Sequence, residues 1–184
     1  MTAVDLFMRL AQTHKPDCHM SLDGPPPETV PDPEEMARTL GSDVVGRYAA
    51  ACRPVYEDLR RVIGQVSGLL ILARLTSRTE IADLNEMQLC RARWREAAER
   101  LATLEAPTGL SQHKVQLTSA HHFSGEAMNA FAGLRSGVDN STELDRMGIQ
   151  IKRAYAHLEA ASSSKAGLQM VDFTHACCSC AQQN

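Results

Sequence analysis

The sequence has little of what nucleic-acid surfaces and large cofactor sites are built from. Only 4% of its 184 residues are aromatic, and 19 basic residues stand against 22 acidic ones. A nearly balanced charge gives no broad positive field, so we expect no nucleic-acid partner. Few aromatic side chains, with many alanines and glycines, predict a narrow core that leaves little room for a bulky cofactor.

Long apolar runs are also missing. The longest, residues 66–73, is far shorter than the roughly 20 residues that a membrane span needs. The first ten residues lack a basic segment followed by a long apolar one, so we expect no secretory signal and a cytoplasmic protein. The six cysteines, at positions 18, 52, 90, 177, 178 and 180, are therefore expected to be reduced thiols rather than a disulfide framework.

The common catalytic motifs do not occur in the chain. It contains no glycine-rich phosphate loop, no nucleophile elbow and no pair of carboxylates at a useful spacing. These absences favour a protein that is not an enzyme.

Four segments carry apolar residues at alternating steps of three and four, the period of a helix with one buried face. The loops between them are short, which predicts neighbours that run antiparallel. We therefore expect an all-α protein, an antiparallel up-down-up-down four-helix bundle. The four seams begin Val45-Tyr48-Cys52-Val55-Leu59, Met87-Cys90-Trp94-Ala97, Leu117-Ala120-Ser124-Ala127 and Leu144-Met147-Ile151-Ala154.

The chain before the bundle has a different composition. Residues 4–12 predict a short amphipathic helix, and residues 15–32 form a proline-rich linker that includes Pro25-Pro26-Pro27. A further short helix, 33–40, is predicted by Asp32 as N-cap, Pro33 at its first position and Gly41 at its end. The expected organisation is residues 1–31 as N-terminal helix and linker, 32–176 as the bundle, and 177–184 as a cysteine-containing tail.

The two ends of the chain carry potential ligands for a soft metal ion. In the expected topology both ends lie at the same pole of the bundle, where their thiols and imidazoles could bind zinc or copper(I). A metal-binding bundle is therefore one alternative function. Its ligands would come from His14, Cys18, His19, His175, Cys177, Cys178 and Cys180.

A third hypothesis concerns the histidine pair in the third helix. His121 is followed at plus two by Phe123 and at plus four by Gly125, which resembles the motif of histidine phosphotransfer proteins. The resemblance covers about six residues and implies that His121 would relay a phosphoryl group between response-regulator aspartates. The family usually has lysine at plus three, where this chain has Ser124.

The first bundle helix has more apolar surface than one neighbour can cover. A stripe of Ala49, Tyr56, Ile63 and Leu70 runs beside its seam, and residues 69–72 are apolar all round. The N-terminal helix or a second molecule is expected to cover it. Our leading hypothesis is a non-enzymatic interaction protein, an adaptor, regulator or assembly subunit, that binds a protein partner or forms a homo-oligomer. Its interaction surface is predicted at Tyr56, Ile63, Leu70, Ile71 and Leu72.

Overall fold

A computed structural model describes residues 32–76, 85–135 and 138–170. Within these residues the chain is all-helical, as predicted, with one isolated β-bridge between Ser163 and Leu168 and no strand. A short 3₁₀ turn, Ser164–Ala166, follows the last helix. The helices are α1 (Pro33–Leu40), α2 (Asp43–Thr76), α3 (Asn85–Thr103), α4 (Ser111–Ala132) and α5 (Ser141–Ala160).

Helix α1 has the boundaries that its capping residues predict. Pro33 occupies the start of the helix, and Gly41 ends it with a left-handed φ of 72° that favours glycine. The helix packs on the start of α2, where a Cβ on Gly46 would stand 2.7 Å from the Ala37 Cα. Only a glycine at position 46 therefore permits this close approach.

Helix α2 is one continuous helix of 34 residues that passes through Pro54. A proline inside a helix removes one backbone hydrogen bond. Pro54 lies on the exposed side, where water can satisfy the carbonyl that loses its partner, while the buried side continues without interruption. The apolar spacing runs unchanged across Pro54 and predicts one kinked helix rather than two separate ones; the structure confirms that the helix is continuous.

Helix α2 contacts α3, α4 and α5, and the pairs α3–α4 and α4–α5 also pack together. Gln116 near the start of α4 contacts His157 near the end of α5, and Glu126 near the end of α4 contacts Arg146 near the start of α5. The side-chain contacts that tie the pairs include Arg93–Gln65 and Arg100–Asp58 (α3–α2), Lys114–Leu104 (to the segment after α3), Glu126–Arg146 and Gln116–His157 (α4–α5), and Arg74–Asp145 (α2–α5).

The interior consists of two hydrophobic clusters that share α2. The first surrounds Tyr56 and Leu59 and includes Leu117 and Leu158. The second surrounds Val62 and Val66 and is richer in methionine, with Met87, Met128 and Met147 around Phe131. Most of the predicted seam residues are buried in these clusters, and burying each large aliphatic side chain contributes about 1.5–3 kcal/mol.

One helix end differs from what the sequence predicts. The apolar spacing continues to Leu134 and Gly137 is the first break, which predicts a helix over residues 111–137. Helix α4 instead ends at Ala132, where the Gly133 N–H bonds to the Ala130 carbonyl. The Asn140 side chain then accepts from the Arg135 N–H and donates to the Arg135 carbonyl, so it takes over backbone groups that a longer helix would pair. Ser77 and Glu80 have the spacing of a capping box, which predicts the start of the next helix there; both residues lie outside the described part of the chain.

Candidate functional site

Trp94 and His121 join α3 to α4 by two reciprocal hydrogen bonds. The Trp94 indole N–H donates to the His121 carbonyl over 2.9 Å, and the His121 Nε2–H donates to the Trp94 carbonyl over 3.1 Å. Their rings are stacked, with centroids 4.3 Å apart and an interplanar angle of 9°. Each residue satisfies the other's polar group, so the pair is held in one geometry.

Gly125 makes room for this stack. A Cβ at position 125 would stand 2.8 Å from the Trp94 Cζ2 atom, closer than real Cβ contacts allow. Glycine is thus required one turn after His121 because the indole ring occupies the space. This steric role involves no ligand.

Burial lowers the pKa of His121 below its ordinary value of 6.5, and His122 lowers it further, although the hydrogen bond to the Trp94 carbonyl opposes the shift. His121 is therefore mainly neutral at about pH 7. Because its Nε2 carries the proton that the Trp94 carbonyl accepts, the free lone pair is on Nδ1. Any nucleophilic chemistry of His121 would have to use that nitrogen.

The other residues of the phosphotransfer-like motif face in different directions. Ser124 is buried, and its hydroxyl donates to the Ala120 carbonyl over 2.7 Å. Phe123 stacks on His157 at 5.3 Å, under the guanidinium of Arg153. His157 also hydrogen-bonds Gln116 through Nδ1. His121 thus contacts α3, while His157 belongs to the contact between α4 and α5.

A surface groove runs along one side of the Trp94–His121 pair. It encloses about 520 Å³. Arg91 and Arg95 are one turn apart on α3, and His122 faces them from α4. In the part of the chain that the structure describes, neither arginine makes an ion pair. The other lining residues are Thr118, Gly125, Glu126, Met128 and Asn129.

A second histidine joins three elements at the opposite end of α4. The Tyr48 hydroxyl lies 3.1 Å from His113 Nδ1, and the His113 Nε2–H donates to the Ala161 carbonyl over 3.0 Å. Since Nε2 carries the proton, Nδ1 accepts from Tyr48. Burial raises the pKa of Tyr48, so the tyrosine stays protonated as the donor. This contact connects α2, α4 and the end of α5.

The residues of the predicted interaction surface divide into two groups. Tyr56 and Ile63 are buried within the first cluster, and burial raises the pKa of Tyr56 to about 12. Leu70 is half-buried. Ile71 and Leu72 are 58% and 46% exposed. The accessible part of the predicted surface is therefore confined to the end of α2.

Three further residues, none of them part of the predicted surface, lie on the same side of α2. Leu75 is 71% exposed, the most of any large apolar side chain in the described residues. Glycines let helices approach closely, so Gly64 and Gly68 predict contact with another bundle helix, but both are exposed. Apart from the backbone of α2 itself, no described atom lies within 4 Å of where their Cβ atoms would stand. The positions 64, 68, 71, 72 and 75 share one side of the helix, here named the α2 outer face.

The predicted metal ligands all lie outside the described residues: His14, Cys18, His19, His175, Cys177, Cys178 and Cys180. Within the described residues, no group of three or more His, Cys, Asp or Glu side chains is arranged to hold a metal ion. Cys52 and Cys90 are buried free thiols, and burial raises the pKa of each to about 11.

No protein-family model, curated protein or solved structure matches this chain. None of the helices in residues 32–76, 85–135 and 138–170 combines the length and apolarity needed to cross a membrane.

Proposed function

We propose that α2 to α5 form an antiparallel up-down-up-down four-helix bundle that acts as a non-enzymatic interaction protein, and that its partner is a second copy of this chain. The bundle is supported by the contacts that join the start of α4 to the end of α5 and the end of α4 to the start of α5, closed by Arg74 of α2 with Asp145 of α5. The observation that carries the function is the α2 outer face.

This face combines large aliphatic side chains with bare backbone. Ile71, Leu72 and Leu75 place apolar area in water within two helical turns, whereas surface apolar residues are normally scattered singly. Gly64 and Gly68, on the preceding two turns, leave open space above the helix. One half of the face therefore offers side chains and the other half offers room for them.

Such a surface complements itself when two copies meet about a twofold axis, because each half then faces the other half of an identical helix. With α2 of one copy antiparallel to α2 of the other and the axis between positions 69 and 70, Gly64 lies opposite Leu75. Gly68 lies opposite Ile71 in the same arrangement. Close contact at the glycines and burial of the aliphatic side chains would then stabilise the dimer together.

The test is the molar mass of the full chain in solution, measured by sedimentation equilibrium. We expect a dimer at micromolar concentration. The double variant Ile71→Glu, Leu75→Glu should be a monomer with an unchanged circular dichroism spectrum, because both side chains are exposed. The control Val115→Glu changes a similarly exposed apolar residue (50%) on α4 and should remain a dimer.

A second pair of variants separates association from folding. Gly68→Ala should stabilise the monomer, since alanine is favoured over glycine inside a helix by about 0.5–1 kcal/mol, and should weaken the dimer by filling the space for Ile71. A wild-type chain that stays monomeric at about 100 µM, or a dimer that survives the double glutamate variant, would exclude the second copy as partner.

A further inference from the structure

We propose that the groove between α3 and α4 is a binding site for the dianion of a small phosphate monoester, held by Arg91 and Arg95. The groove presents several hydrogen-bond donors: two guanidiniums, the His122 imidazole and the Asn129 amide. The groove is separate from the α2 outer face.

The two arginines have no partner in the described protein to account for their position. They are four residues apart on one helix, and like charges at this spacing destabilise a helix by roughly 0.2–0.5 kcal/mol. Arg91 is half-buried, which adds to the cost of leaving its charge without a counterion. A bound dianion between the guanidiniums would remove the repulsion and satisfy both.

The acidic group in the groove does not neutralise them. Glu126, which also lines the groove, lies 3.8 Å from Arg146 of α5. Its carboxylate therefore has a cation of its own. Arg91 and Arg95 remain available for an anion, and a guanidinium presents paired N–H donors that match the oxygens of a phosphate.

The base of the groove is held in place before any ligand arrives. Trp94 and His121 are fixed by their two hydrogen bonds and their stacking, and Arg91 and Arg95 flank Trp94 on the same helix. A preorganised site loses less entropy on binding. The volume of about 520 Å³ exceeds that of phosphate alone and leaves room for the alcohol portion of a monoester beside Met128.

The chain carries its own reporter for this site, because Trp94 is its only tryptophan. Phenyl phosphate is titrated into the full protein while tryptophan fluorescence is recorded, and isothermal titration calorimetry is run in parallel. We expect a saturable fluorescence change with a single class of site. Inorganic phosphate should bind more weakly, and phenyl sulfate, which has the same ring but one negative charge, should bind more weakly still.

The variants Arg91→Gln and Arg95→Gln should each weaken phenyl phosphate binding about tenfold or more, since each removes charge-assisted hydrogen bonds. Arg61→Gln removes an exposed arginine of α2, outside the groove, and should bind as the wild type does. Unchanged circular dichroism spectra establish that the variants are folded. No saturable change with phenyl phosphate up to about 10 mM, or an equal loss in Arg61→Gln, would overturn the proposal.

Discussion

Helix α2 carries aliphatic residues on two faces, one buried in the protein and one exposed to solvent. Its inner face, including Val55, Leu59 and Val62, is fully buried against the other helices, whereas Ile71 and Leu75 on the outer face are more than half exposed. The aliphatic residues of both faces follow the helical period. Apolar spacing therefore predicts which residues can be buried, while the number of packed neighbours decides which of them are.

A leucine-to-alanine substitution on each face tests this difference in burial most directly. Leu59→Ala should lower the free energy of unfolding by about 2–5 kcal/mol, because it leaves a cavity between packed helices. Leu75→Ala should change it by less than about 0.5 kcal/mol. Urea unfolding of both variants, followed by circular dichroism at a concentration where the monomer prevails, measures the difference. Equal losses would show that both faces are packed in the folded monomer.

Substitutions in the ion pair at the edge of the inner face should have the next largest effect on the free energy of unfolding. Asp58 is buried and is paired with Arg100, whose side chain is 45% exposed. Arg100→Gln should cost about 1–3 kcal/mol near pH 7, because it leaves a buried carboxylate without its cation. Asp58→Asn should cost less, since Arg100 can turn toward water.

The pH dependence distinguishes these two variants. Burial raises the pKa of Asp58 above 3.8, and Arg100 opposes that shift. A carboxyl with a raised folded-state pKa binds its proton more tightly in the folded protein, so stability falls as pH rises from 3.8 to the folded-state pKa. Arg100→Gln should raise the folded-state pKa of Asp58 further, so that stability falls over a wider pH range. Asp58→Asn removes the titrating group and should abolish this pH dependence. Unfolding curves between about pH 3.5 and 7 measure both effects; identical pH profiles would contradict the assignment.

Alanine substitutions at one buried and one exposed glycine should have smaller effects on the free energy of unfolding, of opposite sign. Gly125→Ala should destabilise the protein by about 1–2 kcal/mol, because the new methyl group collides with an indole ring that two hydrogen bonds hold in place. Gly64→Ala, with open space above it, should instead stabilise the monomer by about 0.5–1 kcal/mol. The emission of Trp94 should shift only in the Gly125 variant. A gain in stability from Gly125→Ala would show that Trp94 can move aside.

The sequence was sufficient to predict the helices and most of their buried residues. Steps of three and four from Tyr48 to Ala73 identify the inner face of α2, because one buried side repeats with the helical period. Pro33 and Gly41 predict the bounds of α1 from their own backbone preferences. These inferences succeed because each depends on local chemistry that tertiary packing does not reverse.

The stripe that includes Tyr56 and Ile63 could not be assigned to the interior or the surface from spacing alone. Helix α2 contacts α3, α4 and α5 as well as the 3₁₀ turn, so its buried arc is wider than one seam. Near its end these neighbours cover less of the helix, and Ile71, Leu72 and Leu75 remain exposed. The width of the buried arc depends on how many neighbouring elements pack against the helix, which the spacing of apolar residues does not predict.

The candidate groove was partly visible in the sequence. Counting residues through the turn at Pro107 predicts that His121 lies near residues 94–96, and the structure brings His121 and Trp94 together. The reciprocal hydrogen bonds could not be derived, since they depend on side-chain rotamers and on the space left by Gly125. Arg91 and Arg95 alternate with acidic residues along the sequence of α3, a pattern that predicts a solvated, salt-bridged face. The structure instead pairs Glu96 with Arg100 and Glu126 with Arg146, so neither Arg91 nor Arg95 makes an ion pair in the described chain.

One long helix passes through both hydrophobic clusters, and Ile151 of α5 packs against each of them. Neither cluster can lose α2 without exposing the other to water. Thermal melting should therefore be a single cooperative event, and the slowest-exchanging amide protons at the two ends of α2 should share one opening free energy.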